Sequence, residues 1–393
     1  MRIAHVIRRL SFDDWGGTEQ VVWNIAKAQS DAGHEVKIFA TTALCPVASE
    51  VRDGIPIARF DALYPWWPMR KALIAQLDRK GGNPFVPGLG KALIEWKCDV
   101  IHSHAMARIA ELCMRTASKC SAKCVVSLHG GSANIPQDEA GSLRAPTRGL
   151  LPWGKVIDYL MGWTRNVPLD AGGIVCVGED EYARYSNIHK NVLHLPNGVH
   201  AEIFASSASS KKCEPGRVVI LCVARIDAQK NQMMIIEYLA RHPEAVARFV
   251  GPITQIEYKA ELERRAALAG VLDRVTFVGA LKPDSEELVA EYKNADVFVL
   301  PSRHEPFGIT VLEAWAAGCR VVASDVGGLG KLCRRHPGAA VVFPADDMDA
   351  MDKAISLALG DGGRSMPEQG RKAALNYDWT TLGARLVDFY RQI

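Results

Sequence analysis

Short apolar runs recur along the chain, and the stretches between them are long enough to hold a helix. Residues 1–7 form the first run. A glycine-containing loop follows, then a stretch of helical character that opens at Thr18 and ends at Gly33, and then a second run at 34–40. Glycine is common after the last turn of a helix because it tolerates positive φ. This order of strand, loop, helix and strand predicts a βαβ unit.

The same alternation continues through both halves of the chain. Further apolar runs lie at 55–60, 100–102, 124–128, 173–177 and 192–195, and then at 218–223, 247–250, 275–278, 297–300, 321–323 and 340–343. We therefore predict an α/β protein with two Rossmann-like, doubly wound parallel-sheet domains. Small polar residues at 206–212 indicate the connection between them. The predicted domains are residues 1–200 and 201–375.

The last stretch of the chain predicts an amphipathic helix. Its apolar residues follow the helical spacing i, i+4, i+7, i+8 and i+11, and they are Leu382, Leu386, Phe389, Tyr390 and Ile393. Such a stripe needs an apolar surface to cover.

Composition limits the class of protein. A chain of 393 residues normally forms two domains, and a net charge of only +3 gives no reason to expect a nucleic-acid partner. The ten cysteines show no disulfide or zinc pattern, which fits a reducing compartment. Arg8 and Arg9 end the first apolar run too early for a signal peptide, and no run has the ~20 apolar residues of a membrane span. We expect a cytoplasmic protein, or one attached to a membrane surface.

The most informative segment follows the apolar run 297–300. Glu305 lies in a loop that Pro306 and Gly308 keep open, and Glu313 lies eight positions later on a helix that begins near Thr310. The backbone amides of three residues at the helix start, Phe307, Gly308 and Ile309, would favour an anion there. A carboxylate can accept hydrogen bonds from the two hydroxyl groups of a ribose. Taken alone, the two glutamates also fit a loop cap and a solvated helix residue.

Two further loops carry residues suited to phosphate. Arg225 and Lys230 follow the run 218–223, and a guanidinium with an ammonium group at the end of a strand suits a diphosphate. Gly16 and Gly17 precede the first helix, where glycine lets the backbone approach a phosphate closely. Each loop alone also fits an ordinary solvated turn.

Histidines follow two strands of the first domain, at His102 and His104 and at His129. His129, beside two glycines, is the better functional candidate. A serine hydrolase is not supported, because no Gly-x-Ser-x-Gly motif is present. No convincing metal-ligand cluster is visible, and we expect neither a bound metal nor an organic cofactor.

Together these segments resemble the retaining glycosyltransferases of family 4, which have the GT-B fold of two Rossmann-like domains facing a cleft. The resemblance rests on the Glu-x7-Glu pattern of Glu305 and Glu313 within 301–328. It is supported, in the same order along the chain, by Gly16-Gly17, His129-Gly130, Pro196-Asn197-Gly198-Val199, Arg225 with Lys230, Val250-Gly251-Pro252 and 275–279. It covers essentially the whole chain. His200 departs from the family, which often has Asp there, at a position that is usually structural.

The resemblance implies a role for each of these residues. Arg225 and Lys230 would bind the donor diphosphate, Glu313 the ribose hydroxyls, and Glu305 would face the donor sugar. Phe307, Gly308 and Ile309 would contribute amides, Gly16 and Gly17 would approach the phosphates, and Val278 would border the base. His129 would lie beside the sugar or the acceptor, and the final helix, about 376–393, would pack back on the first domain. The catalytic set would be Glu305, His129, Arg225 and Lys230.

The activity implied is retaining, metal-independent transfer of a sugar from a UDP- or GDP-type donor. The acceptor would be a glycan, a lipid-linked molecule or a small molecule, in bacterial polysaccharide or glycoconjugate synthesis. A nucleotide-sugar epimerase or a phosphorylase of the same fold and a non-catalytic donor-binding subunit remain as alternatives. Trp66, Trp67, Arg70 and Lys71 combine aromatic and basic side chains. Such a set fits a membrane contact, a sugar-stacking surface or plain packing. The oligomeric state is left open.

Overall fold

The computed structural model describes residues 1–12, 17–80, 82–129, 149–163, 166–206 and 216–393. It divides into two compact units, the first formed by Met1–Pro196 with Leu382–Ile393 and the second by Asn197–Thr381. These boundaries differ by a few residues from the predicted ranges.

The first unit is built on an eight-stranded sheet. The strands are β1 (Arg2–Arg9), β2 (Glu35–Thr41), β3 (Ser49–Arg52), β4 (Ile55–Phe60), β5 (Val100–Ser103), β6 (Lys123–Leu128), β7 (Gly173–Cys176) and β8 (Val192–His194). They lie in the order β3-β4-β2-β1-β5-β6-β7-β8, parallel except for β3. The helices are α1 (Gly17–Asp31), α2 (Lys71–Lys80), α3 (Leu89–Trp96), α4 (Arg108–Cys120), α5 (Gly154–Leu160), α6 (Val167–Asp170) and α7 (Glu179–Ser186).

The second unit has a six-stranded, all-parallel sheet. Its strands are β9 (Val218–Val223), β10 (Ala245–Val250), β11 (Val275–Gly279), β12 (Val297–Leu300), β13 (Arg320–Ser324) and β14 (Val341–Phe343), in the order β11-β10-β9-β12-β13-β14. Its helices are α8 (Ala201–Ala205), α9 (Met233–Arg241), α10 (Ile256–Leu268), α11 (Glu286–Asn294), α12 (Ile309–Ala317), α13 (Gly327–Arg335), α14 (Met348–Leu359) and α15 (Met366–Leu375). The strand order reverses between β9 and β12, and ligands of such sheets bind at that point.

The prediction of two doubly wound parallel-sheet domains is confirmed by these topologies. Central strands such as β9 and β12 are buried on both faces, so they appear in the sequence as unbroken apolar runs. The strand β3 was missed. It is a mostly exposed, polar edge strand that pairs antiparallel with β4, and it therefore has no apolar signature.

The last helix, α16 (Trp379–Gln392), adds its C-terminal part to the first unit. Leu382, Leu386 and Tyr390 on its apolar stripe are fully buried. Its close approach depends on a glycine, because a Cβ at Gly173 would lie 2.8 Å from the Phe389 ring. Lys123 Nζ donates to the Tyr390 carbonyl at 2.7 Å and so binds one of the last carbonyl groups of the helix.

Within the described residues, no helix combines the length and the apolar character needed to cross a bilayer.

Candidate functional site

A cavity of about 330 Å³ opens in the second unit, beside the ends of β9 and β12. This is the point at which the strand order of the sheet reverses. The cavity is lined by Asn197, Val223, Ala224, Arg225, Lys230, Leu300, Glu305, Pro306, Phe307, Gly308, Ile309 and Thr310. Two loops that are 75 residues apart in the sequence are thus brought together, and both carry residues that sequence analysis had singled out.

The loop before α12 is shaped by glycine. Gly308 has φ +93° and is the N-cap of α12, and a Cβ there would lie 2.8 Å from Leu329 Cδ1. Among the residues that the structure describes, the amides of Gly308 and Ile309 have no hydrogen-bond partner. The amide of Phe307, expected to be free, donates instead to Glu305 Oε1 at 3.5 Å. Two adjacent free amides at a helix N-terminus make a ready anion site.

Lys230 and Glu305 form an ion pair inside this cavity. Lys230 Nζ donates to Glu305 Oε2 at 2.6 Å, and the two side chains are only 11% and 16% exposed. The backbone amide of Lys230 is held in turn by Asp227 Oδ1 at 3.1 Å. A partly buried pair of this kind is held in one geometry, and removing either member leaves the other uncompensated. The pairing itself was not predicted, because sequence spacing does not show which loops face each other.

Arg225 is the more exposed of the two cations, with about half of its side chain accessible. Its guanidinium contacts Asp227 Oδ2 at 3.3 Å and Gln229 Oε1 at 3.3 Å. Sequence analysis missed Asp227 and Gln229, although both lie in the same short segment. These contacts hold the guanidinium at the rim of the cavity.

Glu313 lies on α12 but does not line the cavity. The helix is buried all round by apolar residues, so the carboxyl group is buried as well. Burial raises the pKa of Glu313 from its usual 4.5 to about 7, and a hydrogen bond from the Tyr292 hydroxyl to Oε2, at 2.6 Å, partly opposes this rise. Tyr292, 21 positions away on α11, had no signal in the sequence.

The remaining candidates are spread over both units. Val278 is half-buried in β11, packs against the core and lies outside the cavity lining. Gly16 lies outside the described residues, as do Gly130 and Gly131, and Gly17 is the exposed first residue of α1. Gly17 lines a second cavity of about 500 Å³ in the first unit, together with Arg8, Arg79 and His104.

His129, at the end of β6, is partly exposed and is hydrogen bonded to His104 through its Nε2, at 3.2 Å from His104 Nδ1. Behind it lies the one group of three metal-ligating side chains found among the described residues, His5, His102 and His104. Sequence analysis missed this group, because it depends on β1 and β5 being neighbours in the sheet.

The chemistry available in the second unit is that of anion binding next to a carboxylate. Arg225, Lys230 and two backbone amides supply positive charge and hydrogen-bond donors, and Glu305 supplies one negative charge in the same cavity. Such fixed groups can stabilise charge that develops on two sides of a breaking bond.

Two family models match consecutive parts of the chain. The model described as Glycosyltransferase Family 4 matches residues 15–203, and the model described as Glycosyl transferases group 1 matches residues 206–376. The second match contains Arg225, Lys230, Glu305 and Glu313.

Curated relatives point to the same family. The chain is 34% identical over 215 residues to a GDP-mannose-dependent alpha-(1-6)-phosphatidylinositol monomannoside mannosyltransferase of Mycolicibacterium smegmatis, covering 50% of this chain and 55% of the relative. Similar alignments cover 43% and 51% of two rhizobial lipopolysaccharide core mannosyltransferases, so the chain spans about half the length of these relatives. A D-inositol 3-phosphate glycosyltransferase of Catenulispora acidiphila is 27% identical, with 96% of this chain and 90% of the relative covered.

Solved structures share the fold over the full length. Sucrose-phosphate synthase from Thermosynechococcus elongatus superposes with a TM-score of 0.70 at 20% identity, covering 100% of this chain and 99% of that one. HepE of Anabaena in complex with UDP superposes with a TM-score of 0.71 at 17% identity, covering 100% of each chain. Both halves of the sequence match the same family in the expected order and the folds agree, so the chain belongs to the family 4 glycosyltransferases of the GT-B fold.

Proposed function

We propose that this protein transfers a sugar from a nucleoside diphosphate sugar to a hydroxyl group of an acceptor, with retention of the anomeric configuration. The observation that carries the proposal is the Lys230–Glu305 pair, which lies in one cavity with Arg225 and the free amides of Gly308 and Ile309. Each of these groups can stabilise charge that develops when the bond between a sugar and a diphosphate breaks.

Breaking that bond puts negative charge on the leaving diphosphate and positive charge on the anomeric carbon. Arg225, Lys230 and the amides at the start of α12 would stabilise the diphosphate, and Glu305 would stabilise the sugar. Because Lys230 and Glu305 hold each other at 2.6 Å, both charges are oriented before the donor arrives. Groups fixed in advance need little reorganisation as charge develops.

The donor base is proposed to be uridine or guanosine. One relative is named for its dependence on GDP-mannose, and the HepE structures contain UDP and UDP-glucose. Thermal shift measurements with a panel of nucleotide sugars test the proposal and identify the donor, since a ligand at 100 times its Kd adds ~2.7 kcal/mol of stability. No stabilisation by any uridine or guanosine donor would count against the proposed function.

Turnover is expected to continue in excess chelator. Arg225, Lys230 and the helix amides provide the positive charge that a metal ion supplies at other diphosphate sites. The rate of nucleoside diphosphate release with and without EDTA measures this directly. Loss of activity in EDTA that manganese or magnesium restores would show that the proposed metal independence is wrong.

We also propose that the first unit contacts the surface of an anionic membrane. Five apolar residues of the segments around 67 and 151–161, called the ridge here, are between 53% and 86% exposed: Trp67, Leu151, Tyr159, Leu160 and Met161. Trp67 and Leu151 are bridged by backbone hydrogen bonds. Basic side chains at Arg70, Lys71 and Lys155 are exposed along the same two segments of the chain. Apolar and basic side chains together are the usual elements of an interfacial contact.

Reversing the charge of Arg70 and Lys71 to glutamate is therefore expected to lower binding to anionic vesicles at least about 30-fold, since the loss of two basic residues alone removes about 2 kcal/mol. Flotation with vesicles that contain phosphatidylglycerol measures the bound fraction. The matched control is Arg264→Glu with Arg265→Glu on α10, which makes the same change in net charge in the second unit. Equal loss in both double variants would indicate a general charge effect and no contact at the ridge.

A further inference from the structure

Three histidines and a glutamine of the first unit form one continuous line of hydrogen bonds. His5 Nε2 lies 2.8 Å from Gln29 Oε1, and His5 Nδ1 lies 2.9 Å from His104 Nε2. His104 Nδ1 then lies 3.2 Å from His129 Nε2. We call these four residues the histidine chain. Gln29, His5 and His104 are buried, and His129 is the partly exposed end.

With its oxygen toward His5, the amide of Gln29 determines the direction of every bond in the histidine chain. An oxygen of this kind only accepts, so His5 carries its proton on Nε2 and leaves Nδ1 as an acceptor. His104 must then donate from Nε2, which leaves its Nδ1 to accept from His129 Nε2. Each ring is fixed in the same tautomer, and His129 ends the line with an unprotonated Nδ1. Within the described part of the chain, this nitrogen has no partner.

The three rings have this direction only when they are neutral, and the environment keeps them neutral. Burial lowers the pKa of His5 and of His129 to about 4, and it lowers the pKa of His104 well below its usual value. A neutral imidazole has one donor and one acceptor nitrogen, so a line of neutral rings can have only one direction at a time.

A metal site is the competing use of these side chains, because His5, His102 and His104 are close enough to share an ion. Both nitrogens of His102 are already engaged, Nδ1 with the Tyr390 hydroxyl at 2.5 Å and Nε2 with Ser127 Oγ at 2.7 Å. Both nitrogens of His5 and of His104 are engaged within the histidine chain as well. A metal ion would have to break several buried hydrogen bonds, so the geometry favours the hydrogen-bonded line.

We propose that Gln29, His5 and His104 are positioning residues that hold His129 in the Nε2–H tautomer, so that its Nδ1 accepts a hydrogen bond from a hydroxyl group of the bound sugar or acceptor. The choice of ligand rests on the proposed function, whereas the tautomer does not. His129 would then favour a ligand with a hydroxyl group at that point, because an acceptor that the ligand covers without pairing it is costly.

NMR of the protein labelled with ¹⁵N in its histidines tests the tautomer directly. In the wild type, His129 Nδ1 is expected to be unprotonated at neutral pH. Gln29→Leu removes the fixed acceptor and is expected to give a mixture of both tautomers at His129, three hydrogen bonds away. Gln29→Glu restores an oxygen that only accepts while the carboxyl group is ionised, so the single tautomer should return as the pH is raised through the pKa of that group. His102→Asn is the control, since it removes an equally buried histidine outside the histidine chain.

Kinetics provide the second readout. Gln29→Leu is expected to lower kcat/KM for transfer about tenfold, the effect of losing one hydrogen bond, and Gln29→Glu to restore most of it. A protonated Nδ1 in the wild type, an unchanged His129 signal in Gln29→Leu, or stoichiometric zinc bound through His5 and His104 would each overturn the proposal. The wild-type spectrum alone shows whether Nδ1 of His129 is protonated, even if a variant fails to fold. Absence of any transfer by the wild type would count against the proposed function and leave the tautomer result intact.

Discussion

Replacement of Glu305 by glutamine is expected to lower kcat about 100- to 1,000-fold, the range seen when one fixed electrostatic contact to a transition state is removed. Glutamine keeps the shape of the side chain but not the charge that would face the anomeric carbon. Lys230 keeps a hydrogen-bond acceptor but loses the negative charge at 2.6 Å, and it stays available to the diphosphate, so the KM for the donor should change little. Steady-state kinetics with varied donor and saturating acceptor separate the two constants.

The matched control for this variant is Glu291→Gln. Glu291 is 14% exposed, close to the 16% of Glu305, and it accepts two hydrogen bonds from Arg248 at 2.6 Å in the same unit. Both substitutions break a partly buried ion pair, so both should lower the free energy of unfolding. Only the change at Glu305 should reduce turnover. A similar loss of kcat in both variants would mean that Glu305 acts through stability and has no role next to the reacting carbon.

Replacement of Glu313 by glutamine is expected to raise the KM for the donor roughly 10- to 150-fold, because a hydrogen bond to a charged group is worth about 1.5–3 kcal/mol. If Glu313 binds the ribose hydroxyls, it interacts equally with the ground state and the transition state, and kcat should change little. A loss of turnover confined to Glu313, or equal effects at Glu305 and Glu313, would show that the two roles are assigned wrongly.

Because the pKa of Glu313 is raised, the KM for the donor should depend on pH. With a pKa of about 7, the carboxyl group is largely protonated below neutral pH, and hydroxyl donors favour its ionised form. The KM of the wild type should therefore fall as the pH rises from 6 to 8. Below pH 7 the change should approach about tenfold per pH unit, whereas Glu313→Gln should show no such trend. Tyr292→Phe removes the hydrogen bond that lowers this pKa, so it should move the transition to higher pH.

As the pH rises, the free energy of unfolding should fall while donor binding becomes stronger. The folded pKa of Glu313 lies above its unfolded value of 4.5, so the folded protein binds more protons between pH 4.5 and 7 and loses stability as the pH rises through that window. The loss is about 3 kcal/mol above pH 7. Glu313→Gln has no carboxyl group to ionise and does not lose this stability. The free energy of unfolding of the variant, relative to that of the wild type, should therefore be higher at pH 8 than at pH 5. Thermal unfolding at the two pH values measures the difference.

The sequence was sufficient to predict the layers of the fold, because strands buried on both faces are unbroken apolar runs and the helices between them end at glycines such as Gly33. Arg225, Lys230 and Glu305 were singled out because all three follow apolar runs, and the structure places them in one cavity at the reversal point of one sheet. Their roles in binding and catalysis stay a prediction. The edge strand β3 was missed because its residues are polar and exposed.

Pairing between distant segments could not be predicted from one sequence. Nothing in the spacing shows that Lys230 meets Glu305 or that Tyr292 meets Glu313, because each contact depends on how two loops or helices pack. His5 was not singled out at all, since a histidine in an apolar run is usually a core residue. It becomes significant only when the sheet brings β1 next to β5 and aligns His5 with His102.

The most direct test of the proposed activity is ¹H NMR of the reaction of wild-type protein with the nucleotide sugar that stabilises it most. We expect release of the nucleoside diphosphate and a transferred sugar whose anomeric configuration matches that of the donor. A product of inverted configuration would contradict retention. An epimerised nucleotide sugar formed without release of the nucleoside diphosphate would contradict glycosyl transfer itself and support the epimerase alternative.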